Sequence, residues 1–73
     1  MSTVHIFITE HLDAGRMRDL RADLMSMDNV SDVEIAEGAP HDLVVEYEAH
    51  TVSPMAIVQR LTRHGVHSDI TAC

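Results

Sequence analysis

What constrains this chain most is a repeated change in the period of its apolar residues. Over residues 3–9 the side chains alternate, with Val4, Ile6 and Ile8 on one side and His5, Phe7 and Thr9 on the other. That is the pattern of a strand with one buried face. The period then lengthens: Met17, Leu20, Leu24 and Met27 recur at spacings of three and four, which places them along one stripe of a helix. Asp13 stands where an N-cap belongs, its carboxylate meeting free N–H groups at the positive end of the helix dipole. Asp28 and Asn29 tolerate the turn geometry that closes such a helix.

The same grammar then repeats. Val30, Val33 and Ile35 open a second strand with Asp32 and Glu34 facing out, and Glu37-Gly38-Ala39-Pro40 has the composition of a hairpin turn. A third strand over residues 42–49 sets Leu43, Val45 and Tyr47 against Val44, Glu46 and Glu48. Ser53-Pro54 is a helix start, because serine caps the free donors and proline has none to waste in the first turn. Ile57, Val58 and Leu61 form that helix's apolar stripe, and Gly65 after His64 marks its end. Val66, Ser68, Ile70 and Ala72 alternate as a fourth strand.

The order βαββαβ predicts an α+β, ferredoxin-like sandwich. Two right-handed βαβ units interleave into a four-stranded antiparallel sheet with two helices on one face. Residues 1–73 make a single domain, since a chain this short has room for one marginal core. Val4, Ile6, Ile8, Leu20, Leu24, Val33, Ile35, Val45, Leu61 and Ile70 are its expected members.

Charge and composition narrow the function. Five basic against twelve acidic residues give a formal charge of −7, which repels nucleic acid and disfavours an anionic membrane surface. Small cations and basic protein surfaces are the compatible partners. With one Phe, one Tyr and no Trp, stacking on bases or sugars has little to work with. Apolar runs of only a few residues exclude a membrane-spanning helix. The N-terminal residues Met1-Ser2-Thr3-Val4 lack the features of an export signal, and the single Cys73 can form no internal disulfide. A cytoplasmic location is expected, with a mature exported chain as the alternative. Nothing orders Ser, His and Asp, or Cys and His, as a nucleophilic triad, and no glycine-rich phosphate loop is present, so an enzyme is not expected. Met17 and Met27 lie on the first helix's apolar stripe, Met25 is one residue off it and Met55 opens the second helix, so the methionines read as packing rather than as soft metal ligands.

The element order resembles the heavy-metal-associated domain of copper chaperones and metal-transport ATPases, over nearly the whole chain. In that family a Met-Thr-Cys-x-x-Cys loop joins the first strand to the first helix. Counting back from Asn29-Val30 through Met27, Leu24 and Leu20 places that loop on His11-Leu12-Asp13-Ala14-Gly15-Arg16. Asp13 and Arg16 then stand where the family carries its two metal-binding cysteines, and Arg63-His64-Gly65-Val66 stands where it reads Ala-Gly-Tyr or Ala-Gly-Phe. The resemblance implies the fold and a metal-related role. A soft thiolate pair suits Cu(I), whereas Asp offers a hard donor and Arg a permanent positive charge, so the family's copper chemistry does not carry over to these positions.

In this topology the β1–α1 loop, the β2–β3 hairpin and the α2–β4 loop lie at one end of the sheet. They carry Glu10, His11 and Asp13, then Glu37 and His41, then His64 and His67. Imidazole with carboxylate suits a borderline divalent ion (Zn, Ni, Co or Cu(II)), and the expected ligands are His11 and Asp13 with His64 or His67. Solvated surface histidines are the plain alternative. On the open sheet face, His5, Phe7 and Val44 form a candidate partner-binding surface for another protein or a second copy. Two functions therefore stand side by side: metal binding or delivery through His and carboxylate ligands, and a non-metal interaction or oligomerisation module on the same scaffold.

Overall fold

The computed structural model describes residues 1–36, 38 and 41–72; the expected turn residues Glu37, Ala39 and Pro40 and the terminal Cys73 lie outside the described residues. The elements follow the order β1 (Ser2–Ile8), α1 (Ala14–Met25), β2 (Val30–Ile35), β3 (Asp42–Tyr47), α2 (Pro54–Arg63) and β4 (Ser68–Ala72). The strands form one antiparallel sheet in the order β2-β3-β1-β4. This is the ferredoxin-like arrangement that the alternating periods predict.

The core lies where the two apolar patterns meet. Val4, Ile6 and Ile8 of β1, Leu43, Val45 and Tyr47 of β3, and Met17, Leu20 and Leu24 of α1 are all buried, as are Ile57 and Leu61 of α2. Ile35 and Ile70 are half-buried, although both were expected in the interior. Both lie on edge strands, Ile35 as the last residue of β2, whereas Val33 within the same strand is fully buried. Val52 and Val66, in the connections flanking α2, complete the core.

Local chemistry sets the ends of the helices. The Asp13 carboxylate accepts the Arg16 N–H at 2.7 Å and so caps α1. The Ser53 hydroxyl accepts the Ala56 N–H at 3.2 Å, with Pro54 in the first turn of α2. Helix α1 stops at Met25 rather than running through Met27. Ser26 donates its hydroxyl to the Asp23 carbonyl, and Asn29 takes a positive φ of 67°, which turns the chain into β2. At the end of α2 the Gly65 N–H reaches the Thr62 carbonyl (2.9 Å) and the Val66 N–H reaches that of Leu61 (3.1 Å). This paired closure is a Schellman motif, and it requires the positive φ of 76° that Gly65 supplies.

Two bulges explain irregular spacings in the sequence. Val30 and Asp32 face Tyr47 and Glu46 in turn, so Ser31 is the extra residue, and the apolar residues Val30 and Val33 keep the same side at a spacing of three. In β4 the register moves from Ile6–Ile70 to His5–Ala72, which leaves Thr71 as the inserted residue. Charge is unequal between the layers: α1 and α2 hold all five arginines with Asp19 and Asp23, while the strands carry Asp32, Glu34, Asp42, Glu46 and Asp69 and no Lys or Arg.

Candidate functional site

Strand direction brings three connections together at one end of the sheet, as the topology predicts. The last residues of β1 tie to both sides. The Ile8 N–H donates to the His41 carbonyl at 2.8 Å, and the Thr9 N–H donates to the His67 carbonyl at 3.0 Å. Residues far apart in sequence thus surround the β1–α1 loop.

The side chains there form three groups. In the first, the exposed His11 ring lies against the half-buried His41 ring, with centroids 5.2 Å apart and planes inclined at 49°. His41 in turn lies 5.7 Å from the ring of Phe7, and its Nδ1 is 3.1 Å from the Ile8 carbonyl oxygen. In the second group, the Glu10 carboxylate accepts the His67 backbone N–H at 2.8 and 3.1 Å and the Thr9 hydroxyl at 2.9 Å. The His67 backbone N–H is the main reason that the Glu10 carboxyl is held below the usual glutamate range. The His67 ring, highly exposed, stands 3.5 Å from the same carboxylate.

The third group joins the helices. Arg60 donates to both oxygens of Asp23, at 2.8 and 3.1 Å, and His64 Nε2 lies 2.9 Å from Asp23 Oδ2. Arg60 first and His64 second hold the Asp23 carboxyl down at about 2, against the opposing effect of burial. Arg60, Asp23, His64 and Arg63 line an open cleft of about 330 Å³. Arg16 donates to the His64 carbonyl at 2.7 Å, which fixes its cation at the negative end of the α2 dipole.

The four expected metal ligands thus share one end of the fold without meeting at a point. Asp13 caps α1, the His64 ring rests on Asp23, the His67 ring faces Glu10, and the His11 ring faces His41. Among the described residues, no three His, Cys, Asp or Glu side chains are gathered as a metal-holding group. The expected partner surface is contiguous: His5 pairs directly with Val44 across the β1–β3 ladder, and Phe7, 38% exposed, lies next along the strand. Sequence reasoning placed His41 at this end but left it out of the ligand set, and it did not find the Asp23–Arg60–His64 group. Asp23 precedes Leu24 and Arg60 precedes Leu61, so both flank buried helix positions, and that adjacency was the available signal.

Fold and topology place the chain in the class of ferredoxin-like βαββαβ domains, and solved structures share this fold. The chain is similar to a copper binding domain from HMA7, a P-type ATPase, with a TM-score of 0.88 at 19% identity over 99% of this chain and 96% of that one. Oxidized MerP from Ralstonia metallidurans CH34 superposes with a TM-score of 0.85 at 14% identity, covering 96% of each chain. The yeast copper transporter domain Ccc2a gives 0.85 at 14% identity, covering 99% of this chain and 97% of that one. The expected resemblance to heavy-metal-associated domains is therefore shown at the level of fold. No protein-family model and no curated protein sequence matches the chain. No helix among the described residues is long and apolar enough to cross a membrane.

Proposed function

We propose that this chain is a small metal-ion-binding or metal-delivery module that uses imidazole and carboxylate ligands at the loop end of its sheet. The observation that carries the proposal is the convergence there of His11, His41, His64 and His67 with Glu10 and Asp13, on a fold shared with copper-binding domains. His11, Asp13, His64 and His67 are the proposed ligand pool. His11 and His67 are exposed on short connections, which lets their rings turn toward an incoming ion. The net charge of −7 favours the approach of a cation, and Arg16 is occupied at the end of α2.

The donor set selects the metal. With nitrogen and oxygen donors in place of a thiolate pair, a transition metal of borderline character (Zn²⁺, Ni²⁺, Co²⁺ or Cu²⁺) is favoured over Cu(I). Calorimetric titration of untagged protein with each ion, with stoichiometry from native mass spectrometry, tests this. One divalent ion per chain is expected, bound less tightly in acid because protons compete for the ligands' lone pairs. Uptake of Cu(I) alone, or of no ion, would refute it.

A second reading rests on a different observation, the contiguous His5–Phe7–Val44 patch on a face of the sheet that the helices leave open. On this reading the chain docks a protein partner or a second copy there. Phe7→Glu should then convert a self-associating chain to a monomer without unfolding it, because Phe7 points away from the core. A wild-type chain that sediments as a monomer at high concentration removes the self-association form of this reading.

A further inference from the structure

Within the metal-binding reading, on which this inference rests, we infer that His11 and His41 are the pair that holds the ion. These two residues come from different loops, 30 positions apart in the chain, and the fold sets their rings side by side. Two imidazoles on one tetrahedral ion, with metal–nitrogen bonds of ~2.0–2.1 Å, have ring centroids about 5 Å apart. The observed separation is 5.2 Å.

The surroundings of His41 prepare it as a ligand. Its Nδ1 is 3.1 Å from the Ile8 carbonyl oxygen, and a carbonyl can only accept, so the contact is a hydrogen bond when Nδ1 carries the proton. That tautomer leaves the lone pair on Nε2. A ligating histidine whose other nitrogen donates to a backbone carbonyl is the usual supporting arrangement at metal sites, since it fixes the ring and raises its basicity. The contact with Phe7 restricts the ring further. His11 is exposed, and its ring makes no hydrogen bond among the described residues. The pair therefore combines one anchored ligand with one exposed ligand. Among the described residues, no third His, Cys, Asp or Glu is gathered with such a pair as a metal-holding group.

The other histidines are less suited. His64 is engaged by a carboxylate that Arg60 already neutralises, and His67 faces a Glu10 whose oxygens accept two other donors. The test is zinc titration of untagged wild type, His11→Ala, His41→Gln and the double variant, by calorimetry and by ¹⁵N-resolved NMR of the imidazoles. Glutamine at position 41 retains an N–H donor for the Ile8 carbonyl. The expected result is that His11 and His41 ring nitrogens shift together at one equivalent while those of His64 and His67 stay put. Each single substitution should weaken zinc binding at least ~10-fold, and the double variant should be no weaker than the worse single by more than ~2-fold, because either loss breaks the same chelate. Wild type that takes up no zinc overturns both this inference and the metal-binding reading. One-to-one binding with shifts confined to His64 or His67 overturns this pair and leaves that reading intact. The NMR measurement on wild type decides the matter even where a variant fails to fold.

Discussion

Replacing Asp23 with asparagine isolates the clamp between the helices. Asp23→Asn keeps the shape of the side chain and removes the charge that receives two hydrogen bonds from Arg60 and lies 2.9 Å from His64. The Asp23 side chain is 23% exposed and that of Arg60 is 35% exposed, so the pair sits between two regimes. Fully exposed ion pairs contribute ~0–1 kcal/mol, and hydrogen bonds to charged groups ~1.5–3 kcal/mol. The lowering of the Asp23 carboxyl from 3.8 to about 2 sets a ceiling of about 2.4 kcal/mol at ~1.36 kcal/mol per pH unit, which solvent screening reduces to about 1 kcal/mol. The variant should therefore be about 1 kcal/mol less stable at pH 7.

The pH dependence fixes the mechanism. The carboxyl is more acidic folded than unfolded, so on acidification the unfolded chain takes up the proton first. The stabilisation is then complete above the unfolded value of 3.8 and is lost as pH falls toward about 2. Urea unfolding of both proteins at pH 7, 5 and 3 reads this directly. The stability gap should be clearly smaller at the lowest value than at the two higher ones. A gap that is absent at neutral pH, or one that persists undiminished in acid, would show that Asp23 acts through packing and not through its charge.

Leu24 has no exposed surface and sits on the α1 stripe facing the sheet, so Leu24→Ala should cost ~2–5 kcal/mol in denaturant unfolding; a loss below ~1 kcal/mol would contradict the assigned helix face. Gly65→Ala separates backbone strain from crowding, because a Cβ there meets nothing within 4 Å while φ stays at 76°. A cost of about 1 kcal/mol in thermal or chemical unfolding is expected, and an unchanged or raised stability would mean that the Schellman closure is not needed.

The sequence carried the fold because each element announces itself locally. Val4, Ile6 and Ile8 alternate, Leu20 and Leu24 recur at helical spacing, and Asp13 and Ser53 cap as their chemistry requires. What local pattern cannot carry is a strand's place in the sheet. Ile35 and Ile70 look like core by alternation and are half-covered, Ile35 at the very end of one edge strand and Ile70 on the other. The site was legible to the same degree. Topology alone put four histidines at one end, but which of them touch depends on side-chain partners that pattern does not encode. The Asp23 carboxylate draws in His64, and the end of β1 draws in His41.

The excess of arginine over aspartate in the helices, against strands that carry only carboxylates, gives the molecule a polarity across its thickness. A body of this kind, 17 Å through its thinnest dimension, turns in the field of a charged neighbour before any atoms touch. A positively charged object is met sheet first and a negatively charged one helix first. Encounter is thereby biased toward a single orientation, and the bias fades as added salt shortens the reach of the field to ~10 Å or less.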